Sequence, residues 1–240
     1  MISPLRGGFA RLVLDRLSLR RAPWLWPMVE QALRGRHGIE IAGPSPPFGA
    51  GGPMPVYAIV GSLENYGFQA SQGTFEYSGR AGPSHVCDAS ALPRSDASCD
   101  FVLSSHVLEH LANPLRLARM ASRVAARRPL VHAAAARGAH IRSAARRHAM
   151  EPPRGRLRAP HAGADRTHID ETLRLTDTRH WSFNAPPEWR DECQKNADTR
   201  NVHHHVFDLE LATKAASFAG FRVLAAEYAF PFHIAVLATK

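Results

Sequence analysis

The sequence predicts an α/β protein built on an open sheet, and three observations carry that prediction. Strand-like apolar runs alternate with helix-like segments along the chain. One run, Asp100-Phe101-Val102-Leu103, passes directly into Ser104-Ser105-His106 and a His/Glu-rich helix start. That order puts polar side chains at the carboxyl end of a strand, the edge where open α/β sheets bind ligands. Residues 208–238 then read as a capped helix and two strands, an antiparallel-looking pair that closes the sheet.

Element by element, residues 1–36 read as an N-terminal helical segment, with Trp24-Leu25-Trp26 near a break at Pro23 and Pro27. Residues 37–240 read as one domain interrupted by an anomalous stretch at 125–164. Gly38 to Gly43 reads as a short buried strand entering a turn, and the prolines at 44, 46 and 47 exclude a long helix directly afterwards. Val56 to Val60 reads as a second strand, followed by Ser62-Leu63-Glu64-Asn65; Gly67 to Pro83 is a loop or small hairpin. Phe101 to Leu103 leads to a helix from about Asn113-Pro114, where Pro114 suits the first turn. Ile169 to Leu175 and Pro186 to Asn196 read as short helices. Asp208 caps a helix through Ala219, Gly220 ends it, and Phe221–Ala226 and Pro231–Ala238 are strands.

A length of 240 residues suffices for one α/β domain with a full core. The net charge of +9 would point to a polyanionic partner if it were spread over the surface. It is not. From Ala125 to Ala164 there are nine arginines and one acid, Glu151, so the rest of the chain is close to neutral. The same segment holds thirteen alanines and four prolines but no aromatic residue. It shows little apolar periodicity that would bury a strand or a helix face, so it reads as irregular or helical. Three readings compete: a disordered basic insert that grips polyanions, a solvated Arg-rich helix, and out-of-frame translation of a GC-rich gene. Arginine outnumbers lysine 27 to 3, which favours the last.

Cys87, Cys99 and Cys193 form no C-x-x-C pair and read as reduced thiols of a cytoplasmic protein. No apolar run approaches the ~18 residues of a membrane span. Leu12, Val13, Leu14, Leu17 and Leu19 lie among arginines, so a helix packed on the domain is favoured over a membrane-surface helix.

Five groups of residues carry candidate chemistry. Glu40 on the first strand precedes the turn at Gly43-Pro44-Ser45, where small residues let a ligand approach the backbone. Glu64, after the second strand, is placed to accept hydrogen bonds from ribose hydroxyls, or is an ordinary loop carboxylate. Asp88 heads a short turn through Leu92, which it can cap. His106, Glu109 and His110 stand at i, i+3 and i+4 of one helical face and match an inverted zincin spacing, H-x-x-E-H. The metal reading is disfavoured, because the set follows an Asp-led strand instead of lying within a long helix. His203-His204-His205-Val206-Phe207-Asp208 alternates faces in a strand. Asp165, His168, Asp170 and Glu171 are candidates to join it at a metal or sugar-like substrate, although a satisfied polar patch is the favoured reading.

The stretch Cys87 to Pro114 contains D-x-x-x-L-P and then D-x-V-x-x-x-H-V-L-E-H. It resembles the middle of class I S-adenosylmethionine-dependent methyltransferases of the type 11-like domain family, and the resemblance extends over most of 38–124 and 165–240. It implies a Rossmann-like class I methyltransferase sheet with flanking helices. It implies a cytoplasmic enzyme using S-adenosylmethionine, acting on a small-molecule or glycan-precursor acceptor. By this resemblance Glu40, Gly43 and Ser45 surround the methionine part of the cofactor and Glu64 its ribose. Asp88 takes the adenine amino group, Ala89 lies beside the ring, and His106 lines the cleft. His106, His110 and His204 are the candidate bases, and no metal is expected. Where the family continues with L-x-P-G-G and an apolar strand, this chain has Ala125-Ala126-Arg127-Arg128-Pro129, so loss of the fifth strand is expected. The alternative is a non-catalytic protein whose Arg-rich segment binds nucleic acid.

Overall fold

The computed structural model describes residues 22, 24–68, 85–88, 92–111, 129–135, 169, 173, 189–196, 205–229 and 233–240. These build a seven-stranded sheet from β1 (His37–Ile41), β2 (Ser62–Gly67), β3 (His85–Val86), β4 (Phe101–Ser105), β5 (Pro129–Ala135), β6 (Arg222–Ala229) and β7 (His233–Thr239). Their order across the sheet is β3-β2-β1-β4-β5-β7-β6. The first five are parallel, and β7 runs antiparallel to both β5 and β6. The sequence therefore predicts the class of sheet and its antiparallel closure. The strand order reverses between β1 and β4, so the crevice where ligands settle opens above that pair.

One layer lies on each face. On one face α1 (Leu25–Leu33) buries Leu25, Val29 and Leu33 against Phe101, Leu103, Val131 and Leu237. Their i, i+4, i+8 spacing makes one apolar stripe. Pro27 does not break this helix. It sits in the first turn, where its missing N–H costs no intrahelical bond. The N-terminal end of α1 is anchored from far along the chain, because the Leu25 N–H donates to Glu227 Oε1 on β6 at 2.7 Å. On the other face α3 (Leu209–Phe218) sets Ala212 and Ala215 against the core that holds Ile39, Val102, Leu130, Ile234 and Val236. Asp208 caps it by accepting the Leu211 N–H at 2.8 Å, and Gly220, at φ 89°, ends it. The short helix α2 spans Trp189–Gln194, with Cys193 packed against Ile169.

Two expectations fail. Val56–Val60 is not a strand; Val56–Ala58 is a 3₁₀ turn. Pro53 and Pro55 precede it without N–H groups to offer a ladder, and Val56, Tyr57 and Ile59 instead pack beneath α1. The second strand is Ser62–Gly67, whose polar residues hid it. The fifth strand, expected to be missing, is present. Pro129–Ala135 lies between β4 and β7, with Leu130 opposite Val102 on one side and Ala238 on the other. Leu130 and Val131 are buried there, and the backbone is paired along both edges. The helix expected from Asn113 and most of 125–164 lie outside the described residues.

Candidate functional site

The crevice is floored by the turns that follow β1 and β4. Ile41 pairs with Ser104, so Ala42 and Ser105 stand level at the carboxyl edge. Ala42 and His106, the residues that leave the two strands, both have left-handed backbone, at φ 58° and 53°. For a side chain with a Cβ this conformation costs roughly 1–2 kcal/mol, and such residues cluster where a fold shapes a binding site. Glu40 is wholly buried beneath the first turn. The Tyr57 hydroxyl donates to Glu40 Oε2 at 2.7 Å, with the Ser45 carbonyl at 3.1 Å, and the Ser45 N–H donates to the same hydroxyl oxygen. A Cβ on Gly43 would stand 2.3 Å from the Glu40 carboxyl carbon, so only glycine lets the turn close over that carboxylate. Ser105, buried at the end of β4, has an Oγ with no hydrogen-bond partner. A hidden hydroxyl of that kind beside an open turn suits a polar ligand.

The outer rim is different. Asp88 stands just past β3, after the Cys87 N–H donates to the Gly67 carbonyl, and so lies at the carboxyl edge as expected. Ala89 falls outside the described residues. Glu64 is not after the second strand but within it, level with Ile39 in the middle of β1. Its carboxylate accepts from Arg94 at 2.8 Å and from the Tyr66 hydroxyl at 3.2 Å, with His85 Nε2 also at 3.2 Å. The Arg94 hydrogen bond holds the Glu64 carboxyl below its ordinary pKa. This cluster clamps β2, β3 and the 94–98 turn together.

On the far side of β4, Leu108–His110 is a single 3₁₀ turn, so the expected helical face exists only in part. His106 Nδ1 lies 3.2 Å from Oε1 of the buried Glu109. His106 Nε2 lies 2.9 Å from Nδ1 of His233, the first residue of β7, and the rings meet edge to face at 5.1 Å. Burial first, and then the neighbouring His106, push the His233 pKa down to about 4. His110 stands on the same turn. The His205 N–H donates to the Glu109 carbonyl at 3.2 Å, which brings the histidine-rich segment to this turn. His203, His204, Asp165, His168, Asp170 and Glu171 lie outside the described residues. Among the described residues no group of three His, Cys, Asp or Glu is arranged to hold a metal.

Sequence reasoning missed His233, Tyr57, Arg94 and Ser105. A signal existed for His233, a lone histidine opening the otherwise apolar run Ile234–Ala238. No local pattern marks the other three: Tyr57 meets Glu40 17 residues away, Arg94 meets Glu64 30 residues away, and Ser105 is set by the register of β4.

The residues present fit a sulfonium nucleoside. The Ala42–Ser45 turn and the Ser105 hydroxyl offer polar atoms and close backbone approach, and Asp88 offers an acceptor at the same edge. Residues 48–129 match the family model described as a methyltransferase domain. No curated protein matches the chain. Among solved structures it is similar to a SAM-dependent methyltransferase from Aquifex aeolicus, at 15% identity and TM-score 0.47 over 93% of this chain and 92% of that one. It is also similar to SAM-dependent methyltransferases from Methanosarcina mazei, at 13% identity and TM-score 0.47 over 90% of this chain and 98% of that one. No helix among the described residues is long and apolar enough to cross a membrane. The matched segment begins just after the first turn, contains β2, β3, β4 and the histidine-bearing edge of β4, and ends at the first residue of β5. The resemblance to a methyltransferase domain thus rests on residues 48–129, about a third of the chain.

Proposed function

We propose that the protein methylates a hydroxyl of a small-molecule or glycan-precursor acceptor in the cytoplasm, and that residues 37–240 form the catalytic unit behind a helical N-terminal segment. Glu40, Gly43 and Ser45 shape the methionine end of the cofactor site, and Asp88 with Ala89 takes the adenine. Glu64 serves the ribose only by exchanging the Arg94 guanidinium for the hydroxyls, so recognition of the nucleoside falls mainly on Asp88. The bound cofactor supplies an electrophilic methyl group. The protein therefore needs to align the acceptor, exclude water and manage one proton.

The observation that carries this reading is the placement of His106. It leaves β4 beside the first turn, with its Nδ1 3.2 Å from the buried Glu109 carboxylate, which sets an imidazole where a proton must be removed. His110 stands one turn residue further on, and His204 lies outside the described residues. Calorimetric titration of the purified chain with S-adenosylmethionine, and of an Asp88→Ala variant, tests the reading. Binding by the chain that weakens at least tenfold in the variant is expected. Equal binding by the two would remove Asp88 from the site, and no binding by either would remove the function.

The nucleic-acid reading of 125–164 gains no support. Residues 129–135 of that segment form a central strand, so the segment is not simply a solvated basic arm.

A further inference from the structure

The chain leaves the first turn at Ser45 and comes back to it at Tyr57, and the stretch between is closed on itself. The Met54 N–H donates to the Pro47 carbonyl at 3.1 Å, and a Cβ on Gly52 would stand 2.3 Å from that same carbonyl oxygen. Phe48, Met54 and Val56 are wholly buried in the core beneath α1. Their packing fixes the 3₁₀ turn Val56–Ala58, and the Tyr57 ring meets Phe48 edge to face at 6.4 Å. Apolar burial therefore sets the phenol in place independently of the hydrogen bonds that its hydroxyl makes.

That hydroxyl bonds on both sides of Ala42, to Glu40 before it and to Ser45 after it. A phenol carries one proton and can accept as well as donate. The Ser45 N–H can only donate, so the hydroxyl oxygen accepts there. Its own proton goes to Glu40 Oε2 at 2.7 Å, with the Ser45 carbonyl further off at 3.1 Å. Ala42, between the two, has left-handed backbone at φ 58°, which a residue with a Cβ holds only where its surroundings impose it. One atom of a separate, buried loop thus bridges the arc from Glu40 to Ser45.

From this we infer that Tyr57 is a positioning residue for the cofactor, its hydroxyl holding the 42–45 turn in the shape that receives the amino-acid end of S-adenosylmethionine. The inference rests on the methyl-transfer reading and deepens it by adding a residue behind that part of the site. Tyr57 takes no part in the chemistry. It acts through Glu40 and Ser45, so its effect is confined to the portion of the ligand that the turn receives. Recognition of the nucleoside falls to Asp88, just past β3, and does not pass through this hydroxyl. A purely structural tyrosine would instead loosen both ends of the site alike.

Calorimetric titration of the full purified chain and of Tyr57→Phe with two ligands separates these roles. S-adenosylhomocysteine carries the amino-acid end, whereas methylthioadenosine keeps the nucleoside and the sulfur without it. Phenylalanine keeps the ring and its packing, so the variant loses the hydroxyl alone. Its affinity for S-adenosylhomocysteine is expected to fall about tenfold, as for the loss of one hydrogen bond to a charged group, with less than about a twofold change for methylthioadenosine. Equal losses for the two ligands, or no loss for either, would overturn the inference. Carbon-13 NMR of ring-labelled tyrosine in the unsubstituted chain gives a readout that does not depend on how the variant folds. The Tyr57 signal is expected to shift with S-adenosylhomocysteine and to stay in place with methylthioadenosine; no shift with the first, or the same shift with both, would sink the idea. Failure of the unsubstituted chain to bind either ligand sinks the methyl-transfer reading itself. Intact binding that Tyr57→Phe leaves unchanged sinks this inference alone.

Discussion

Glu40 and Glu64 are the same residue type on adjacent parallel strands, yet they belong to two different kinds of structure. Glu40 is wholly buried beneath a tight turn at the sheet's carboxyl edge, held by the Tyr57 hydroxyl and enclosed by Gly43. Glu64 sits mid-strand on the opposite face, half-exposed, in a cluster of Arg94, Tyr66 and His85. The inner edge, over β1, β4, β5 and β7, spends burial and left-handed backbone on shape. The outer rim, at β2 and β3, uses exposed charge pairs that are individually weak. An acid on the second strand is therefore no guide to a ligand unless its position along the strand is known.

The contrast can be broken most severely at the centre. Val131→Asp would put a charge into a fully buried position of β5 and is expected to cost about 4 kcal/mol or more. Denaturant unfolding measures it; a loss under 1 kcal/mol would show that 129–135 do not form the central strand. Acid should act next, through His233. Burial lowers its pKa from 6.5 to about 4, so the unfolded chain binds that proton first. The stability owed to the neutral ring is complete above pH 6.5 and gone below pH 4, a loss of about 3 kcal/mol across the window. Unfolding midpoints measured along that range should flatten in His233→Gln, and an unchanged slope would contradict the burial of the ring.

Gly43→Ala probes the inner turn directly. Displacing Glu40 by the new methyl is expected to cost about 2 kcal/mol, read as a roughly 30-fold loss of S-adenosylmethionine affinity by calorimetry. At the outer rim, Arg94→Ala should lower stability by under about 1 kcal/mol and change cofactor affinity less than about threefold. A larger effect of Arg94→Ala than of Gly43→Ala on binding would invert the contrast and return Glu64 to the site.

The sequence made legible whatever depends on local pattern. The Asp208 cap, the Gly220 stop, the Phe101 strand and the strands after residue 220 follow from capping chemistry and apolar runs, and all are present. What stayed hidden depends on distant partners. Val56–Val60 has strand-like composition, but the prolines before it and the underside of α1 decide its shape. Pro129–Ala135 has little strand-like composition, yet two neighbouring ladders make it one. The same holds at the site. Asp88 and His106 lie at the carboxyl edge because strand ends can be read locally, whereas the meeting of His106 with His233, 127 residues away, is made only by β7 entering beside β5.

That entry has a consequence for how the molecule is made. On the ribosome β6 emerges before β7, but among the described strands its one neighbour is β7, which separates it from β5. The helix at residue 25 likewise waits for Glu227 to reach its amino end. A nascent chain halted before residue 233 would have β5 as a bare rim and no described partner for β6, whereas the first helix would still face Phe101, Leu103 and Val131. The antiparallel edge of the sheet is therefore the last part of it that the growing chain can complete.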